Sequence, residues 1–322
     1  MKIVLGTDRG IMIAKPRNNM PDSWYLFSHV HADKHITALH VSSDGAIYAA
    51  AQGGAIYRSG DGENWMLTTD GIEELNITYL TSHPTDPSTM FLGTRPPKIY
   101  RSTTNGLRWE KMEGFNQVPS ALEWHYPQPP YTALVTKILQ HPMHANVLLA
   151  SIAQGGFMGS LDSGFTWMER PVTSGREIND LAIHPERPAR VFAATATGIH
   201  RSDDLGTTWE QCHHGNPYLF TLKLAISPGN PDYLAAAISQ QRATNSPQII
   251  TFSTNGGDSW FAPKSNLPSL TNQRITALDA YGEHSFAFAT ETGLIMFTAD
   301  DGKIWHSVLF NQIPVRSLII TE

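Results

Sequence analysis

One cysteine, Cys212, is all the chain carries, so no internal disulfide can brace it and a disulfide-stapled scaffold is excluded. Charge is also scarce. Charged residues make up 16% of the chain and the formal net charge is -6. A general nucleic-acid binder would carry a basic face, so nucleic acid is not an expected partner. No apolar run reaches membrane-spanning length, and no membrane partner is expected. The first eight residues, Met1 to Asp8, lack the long apolar core of a signal peptide and read as a strand, so the expected location is the cytoplasm. Nucleophile-elbow, phosphate-loop and dinucleotide fingerprints are missing too. Gly53-Gly54 and Gly155-Gly156 precede no helix and read as turn glycines.

What the sequence has instead is a repeat. Ser160-Leu161-Asp162-Ser163-Gly164-Phe165-Thr166-Trp167 has the form S-x-D-x-G-x-T-W. Its serine and aspartate can bond their own backbone in a tight turn, and its glycine can take positive φ. The tryptophan is large enough to anchor the next strand against a neighbouring sheet. Ser202 to Trp209 is a second full match and Thr298 to Trp305 a close one. Ser253 to Trp260 has Asn255 for aspartate, Ser102 to Trp109 has Thr104 there, and Arg58 to Trp65 moves the aspartate to Asp61. Asp22-Ser23-Trp24 is a worn remnant. The seven tryptophans follow one another at 41, 44, 58, 42, 51 and 45 residues. Self-similarity at that period indicates the blades of a propeller.

This motif resembles the Asp-box, or BNR repeat, of sialidases, xyloglucanases, sortilin-type receptors and the photosystem II stability/assembly factor group. The resemblance runs the length of the chain and implies a β-propeller. It implies little about activity, because those relatives do unrelated things. Sialidases resemble six-bladed rings with an Arg-Ile-Pro segment near the amino terminus, and xyloglucanases resemble two propellers facing one cleft. This chain departs from both patterns, and no catalytic residue carries over.

Each repeat holds four short segments of strand character. The chain begins on a second strand and ends on a solitary first strand, Val315 to Ile320. The expectation is an all-β, single seven-bladed propeller domain over 1–322. Its blades are four-stranded, and the carboxy-terminal strand joins the amino-terminal blade to close the ring. Closure removes the exposed edges of an open sheet. Antiparallel strands then sort the connections by face. The first-to-second turns and the boxes share one face. The second-to-third loops and the crossovers between blades share the other, the top. Both overlong gaps add residues on top, through the crossover of residues 113–134 and the loop of residues 240–247. Loops of such length are functional or disordered, so the site is expected at the top mouth of the channel.

Several candidates gather there. Trp124, the one tryptophan outside a box, lies with His125 and Tyr126 in the long proline-stiffened crossover and could stack on a sugar, a flat ring or a peptide. Arg95, Arg176, Arg242, Arg274 and Arg316 could hold a carboxylate or phosphate, arginine being suited to bidentate pairing. His214 joins this ligand-binding set. His29-Val30-His31 places two imidazoles on one side of an extended segment, with His35 next to the channel. Such a trio could take a divalent transition metal, and solvated loop histidines are the plainer alternative. Lys137, Asp180 and Lys223 share the third position of successive first strands, as a buried ionic girdle or a ligand site. The expected function is a ligand- or partner-binding propeller whose partner is a small polar or anionic ligand, or a peptide or protein loop. The alternatives are a metal-assisted hydrolase or lyase using the top histidines, and a metal-free glycoside-active enzyme.

Overall fold

The computed structural model describes residues 1–20, 22–170, 175–212, 219–241, 246–262, 266–310 and 312–322. Seven antiparallel sheets stand around a central channel. Their innermost strands are Ile36–Val41, Ile77–Ser82, Leu134–Gln140, Ile178–Ile183, Phe220–Ile226, Ile275–Tyr281 and Val315–Thr321. Each packs on the next, and the last packs on the first. Val315–Thr321 pairs with Lys2–Thr7, so the two chain ends complete one blade as expected. Six sheets have four strands. In the blade starting at Phe220 the outermost strand shows one bridge among the described residues, with Phe252 and Phe261 exchanging N–H···O bonds of 2.8 and 2.9 Å.

The repeated turns explain why the sequence folds this way locally. The Ser160 hydroxyl donates to Asp162 Oδ1 (2.8 Å) and accepts the Gly164 N–H (2.8 Å). Asp162 in turn accepts the Thr166 N–H and hydroxyl at 2.9 and 2.6 Å. Ser202, Asp204, Gly206 and Thr208 repeat the set. Asn255 accepts the Ser259 N–H, and Thr104 Oγ1 the Arg108 N–H, so the altered copies keep the same bonds with other side chains. Hydrogen bonds to the charged form favour it. They hold Asp204 down to about 2, the Thr208 N–H foremost.

The tryptophan of each turn then reaches sideways. Trp167 packs edge-on to Phe115, Trp209 to Phe157 and Trp24 to Phe297, with centroids 5.2–5.5 Å apart. Trp65, Trp167, Trp209 and Trp260 each donate their indole N–H to the carbonyl of the turn glycine. The glycine is required for space as well as for conformation. A Cβ on Gly206, whose φ is +82°, would lie 2.1 Å from the buried Phe157 ring. Gly206→Ala is therefore expected to cost about 2–3 kcal/mol, part left-handed strain and part overpacking. A denaturant melt giving a loss below about 0.5 kcal/mol, the range of an ordinary surface change, would contradict that.

A second repeated device, not foreseen from the sequence, shapes the channel. Every innermost strand has a register shift near its start, at Thr37, Thr78, Thr136, Asn179, Leu222, Thr276 or Arg316. The bulge turns that side chain toward the top and the next one toward the channel. Thr78 donates to the carbonyl of Val135, Thr136 to Ile178, Asn179 to Thr221 and Thr276 to Val315. Each of these bonds ties one blade to the residue just before the bulge in the next. Among the described residues Thr37, Leu222 and Arg316 occupy the same position without such a bond, and Thr37 donates to the Ala50 carbonyl of its own blade. No helix among the described residues is long and apolar enough to cross a membrane.

Candidate functional site at the top mouth of the channel

The bulged residues floor an open cavity of about 530 Å³ on the top face. Its walls bring together Arg95 from a second-to-third loop, Tyr126 from the long crossover, His35 and Arg274 from the entries to inner strands, Glu291 and Arg316. Five residues expected at the site thus converge on one cavity: Arg95, Tyr126, Arg274, Arg316 and His35.

Their electrostatic situations differ. Arg316 grips Asp8 through both carboxylate oxygens, Nε–Oδ1 at 2.6 Å and Nη2–Oδ2 at 2.7 Å. His35 Nε2 lies 3.2 Å from the same carboxylate. The Arg316 hydrogen bonds hold Asp8 below the ordinary aspartate range against the opposing effect of burial. Arg316 thus clasps the ring closed. Arg95 has no carboxylate among the described residues. Its Nε is buried without a hydrogen-bond partner, its guanidinium carbon lies 5.8 Å from the Tyr126 ring centroid, and burial lowers its pKa. Arg274 is exposed at the rim and makes no ion pair or side-chain hydrogen bond among the described residues.

Other expected residues stand elsewhere. Trp124 is 9% exposed and its ring packs 5.2 Å from that of Phe115, so it fastens the crossover to its own blade and offers a ligand almost no face. His125 Nδ1 meets the Glu123 carbonyl at 2.7 Å, away from the cavity. Arg176 pairs with Glu123 on the exposed rim. The histidine trio does not form a ligand set. His29 Nε2 is bonded to the Arg9 carbonyl, His31 takes φ +52° and stacks on Tyr57 at 4.1 Å, and His35 faces Asp8. Among the described residues no three His, Cys, Asp or Glu side chains gather in a way that could hold a metal ion. Arg242 and His214 lie outside the described residues.

Below the mouth the channel continues as a cavity of about 310 Å³ lined by third-position side chains. Lys137 Nζ lies 3.1 Å from Asp180 Oδ1, and Asp180 also accepts the N–H groups of Leu181 and Leu224. Asp279, which the sequence reading overlooked, faces the same space and accepts the Ile320 N–H at 2.8 Å. Burial pushes its pKa up to about 6. An aspartate raised this way is protonated in the fold and ionised in the unfolded chain between about pH 4 and 6, so its contribution to stability falls as pH rises through that window. Asp279→Asn is therefore expected to be stabilising relative to the native chain by of order 2 kcal/mol at pH 7.5, and by little at pH 4. Chemical melts at the two pH values check this, and a difference independent of pH would contradict it.

No known family description and no curated protein sequence matches the chain. Solved structures do. The chain superposes on a GH74 xyloglucanase from Xanthomonas campestris with a TM-score of 0.64 and 17% identity, over 85% of this chain and 45% of that one. It superposes on YCF48 from Cyanidioschyzon merolae with a TM-score of 0.61 and 13% identity, over 89% of this chain and 92% of that one. A structure described as YCF48 bound to D1 peptide gives 0.56 and 14%, over 84% and 81%. The chain spans less than half the length of the GH74 enzyme and nearly all of YCF48 from Cyanidioschyzon merolae. At such identities the shared property is the architecture, a seven-bladed β-propeller.

Proposed function

We propose that this chain is a binding propeller of the Asp-box type whose top mouth captures an anionic group, a carboxylate or phosphate. The group is carried either by a small polar ligand or by a peptide or protein loop. The observation that carries the reading is the pair Arg95 and Arg274, two cations on one cavity without a carboxylate partner among the described residues, in a chain of net charge -6. A desolvated guanidinium beside an open cavity favours an anion arriving from outside. The similarity to a propeller described with a bound peptide supports the loop version, and the match in length to YCF48 supports it over the GH74 comparison. The glycoside-active alternative needs two carboxyl groups about 5–9.5 Å apart. Among the described residues Glu291 is the one carboxylate lining the mouth, and nearby Asp8 is spent on Arg316. The metal-assisted alternative would need ligands other than His29, His31 and His35 acting together. Titrating the chain with 4-deoxypyridoxine 5′-phosphate, a small anion, and with an acetylated tetraglutamate, an acidic peptide, distinguishes the two sources. Binding of neither would overturn the reading.

A further inference from the structure

Lys223 stands where the mouth and the channel meet and lines both cavities. Among the described residues its amine has no partner. Asp180, the carboxylate nearest in the ring of third positions, is already occupied by Lys137 and by the N–H groups of Leu181 and Leu224. Lys223 makes no ion pair or hydrogen bond among the described residues. The sheets packed on its strand present Asp180 on one side, Arg274 and Asp279 on the other, and Lys137 lies beyond Asp180. An amine in a cavity rather than in bulk water, with a guanidinium on one side and the carboxylate on the other already bonded elsewhere, is the setting a nucleophilic lysine requires.

Resting on the anion-binding reading of the mouth, we propose that Lys223 is an amine nucleophile that condenses with an anionic carbonyl compound, an aldehyde or 2-oxo acid whose carboxylate or phosphate is held by Arg274 and Arg95. The Nζ lone pair adds to the carbonyl carbon and forms the C–N bond. The C=O π pair moves to oxygen, which takes a proton, and nitrogen gives one up. The nitrogen lone pair then forms C=N as the C–O bond breaks, the hydroxyl takes a proton and leaves as water, and the nitrogen releases its second proton. Amine and carbonyl become imine and water, with no oxidant or reductant. Burial foremost, with the charges of Lys137 and Arg274, lowers the Lys223 pKa against the opposing pull of Asp180 and so raises its neutral fraction. The Asp279 carboxyl, at about 6, lines the same channel and can hold the proton that moves.

The test is reductive trapping. The chain is exposed to pyridoxal 5′-phosphate, reduced with borohydride, and its nine lysines are mapped by peptide mass spectrometry. Lys223 is expected to label at least ~10-fold faster than exposed Lys303, because an anion held at Arg274 and Arg95 keeps the aldehyde beside its amine. Arg274→Gln is expected to slow the labelling of Lys223 and leave that of Lys303 unchanged. Glyceraldehyde, which carries no anion, should still choose Lys223 first, only more slowly. Equal labelling of Lys223 and Lys303 overturns the proposal. If 4-deoxypyridoxine 5′-phosphate, which has no carbonyl, still binds in that case, the anion reading stands and only the nucleophile falls. If it does not bind, both fall.

Discussion

Lys137→Met is expected to lower the stability of the propeller by about 3–5 kcal/mol, the range for breaking a buried ion pair from one side. The loss does not come from the hydrogen bond alone. Asp180 is 4% exposed, and its carboxylate would be stranded with only backbone N–H donors. Lys223, the other amine in the ring, would be drawn toward it and keep the loss near the lower end. The companion variant Lys137→Met/Asp180→Asn removes the stranded charge yet keeps an acceptor for the Leu224 N–H. It is expected to recover at least half of the loss. Equilibrium urea melts of the two variants decide the matter. A double variant less stable than Lys137→Met would mean that the pair is not what makes the single change costly.

The second large effect is on binding. Arg95→Gln/Arg274→Gln should weaken capture of an anionic ligand by at least ~100-fold, since each charge-assisted hydrogen bond is worth about 1.5–3 kcal/mol. Neither arginine holds the fold through an ion pair among the described residues, so the melt of the variant should shift little. That separates these two from Arg316, whose replacement would release Asp8 and loosen the closure between the chain ends. Binding should also weaken with added salt, more for the exposed Arg274 than for half-buried Arg95.

The blade count and the ring closure were legible in the sequence because their causes are local. The turn chemistry of Ser160 to Trp167 recurs with its spacing, and a chain that starts on a second strand and ends on a first has one way to close. The top mouth was legible for a similar reason, since antiparallel strands sort loops by face without knowledge of packing. What could not be read depends on contacts between distant segments. Arg316 was expected to await a ligand, but its partner Asp8 is 308 residues away along the chain. Trp124 was expected to present its ring, and Phe115 in the same crossover covers it. His29-Val30-His31 does occupy an extended segment to begin with, but the backbone takes positive φ at His31 and its ring goes to Tyr57. The bulges left one trace, threonine at Thr37, Thr78, Thr136 and Thr276. At the last three that trace acquires meaning only once the carbonyl of the next blade is in view.

The central claim is that the top mouth is an anion site built on Arg95 and Arg274. Its most direct measurement is a calorimetric titration, at low ionic strength, of the native chain and of Arg95→Gln/Arg274→Gln with 4-deoxypyridoxine 5′-phosphate and with acetylated tetraglutamate. The account predicts that at least one of the two probes binds the native chain with one-to-one stoichiometry and is lost in the variant. A native chain that binds neither, or a variant that binds as tightly as the native chain, would contradict it.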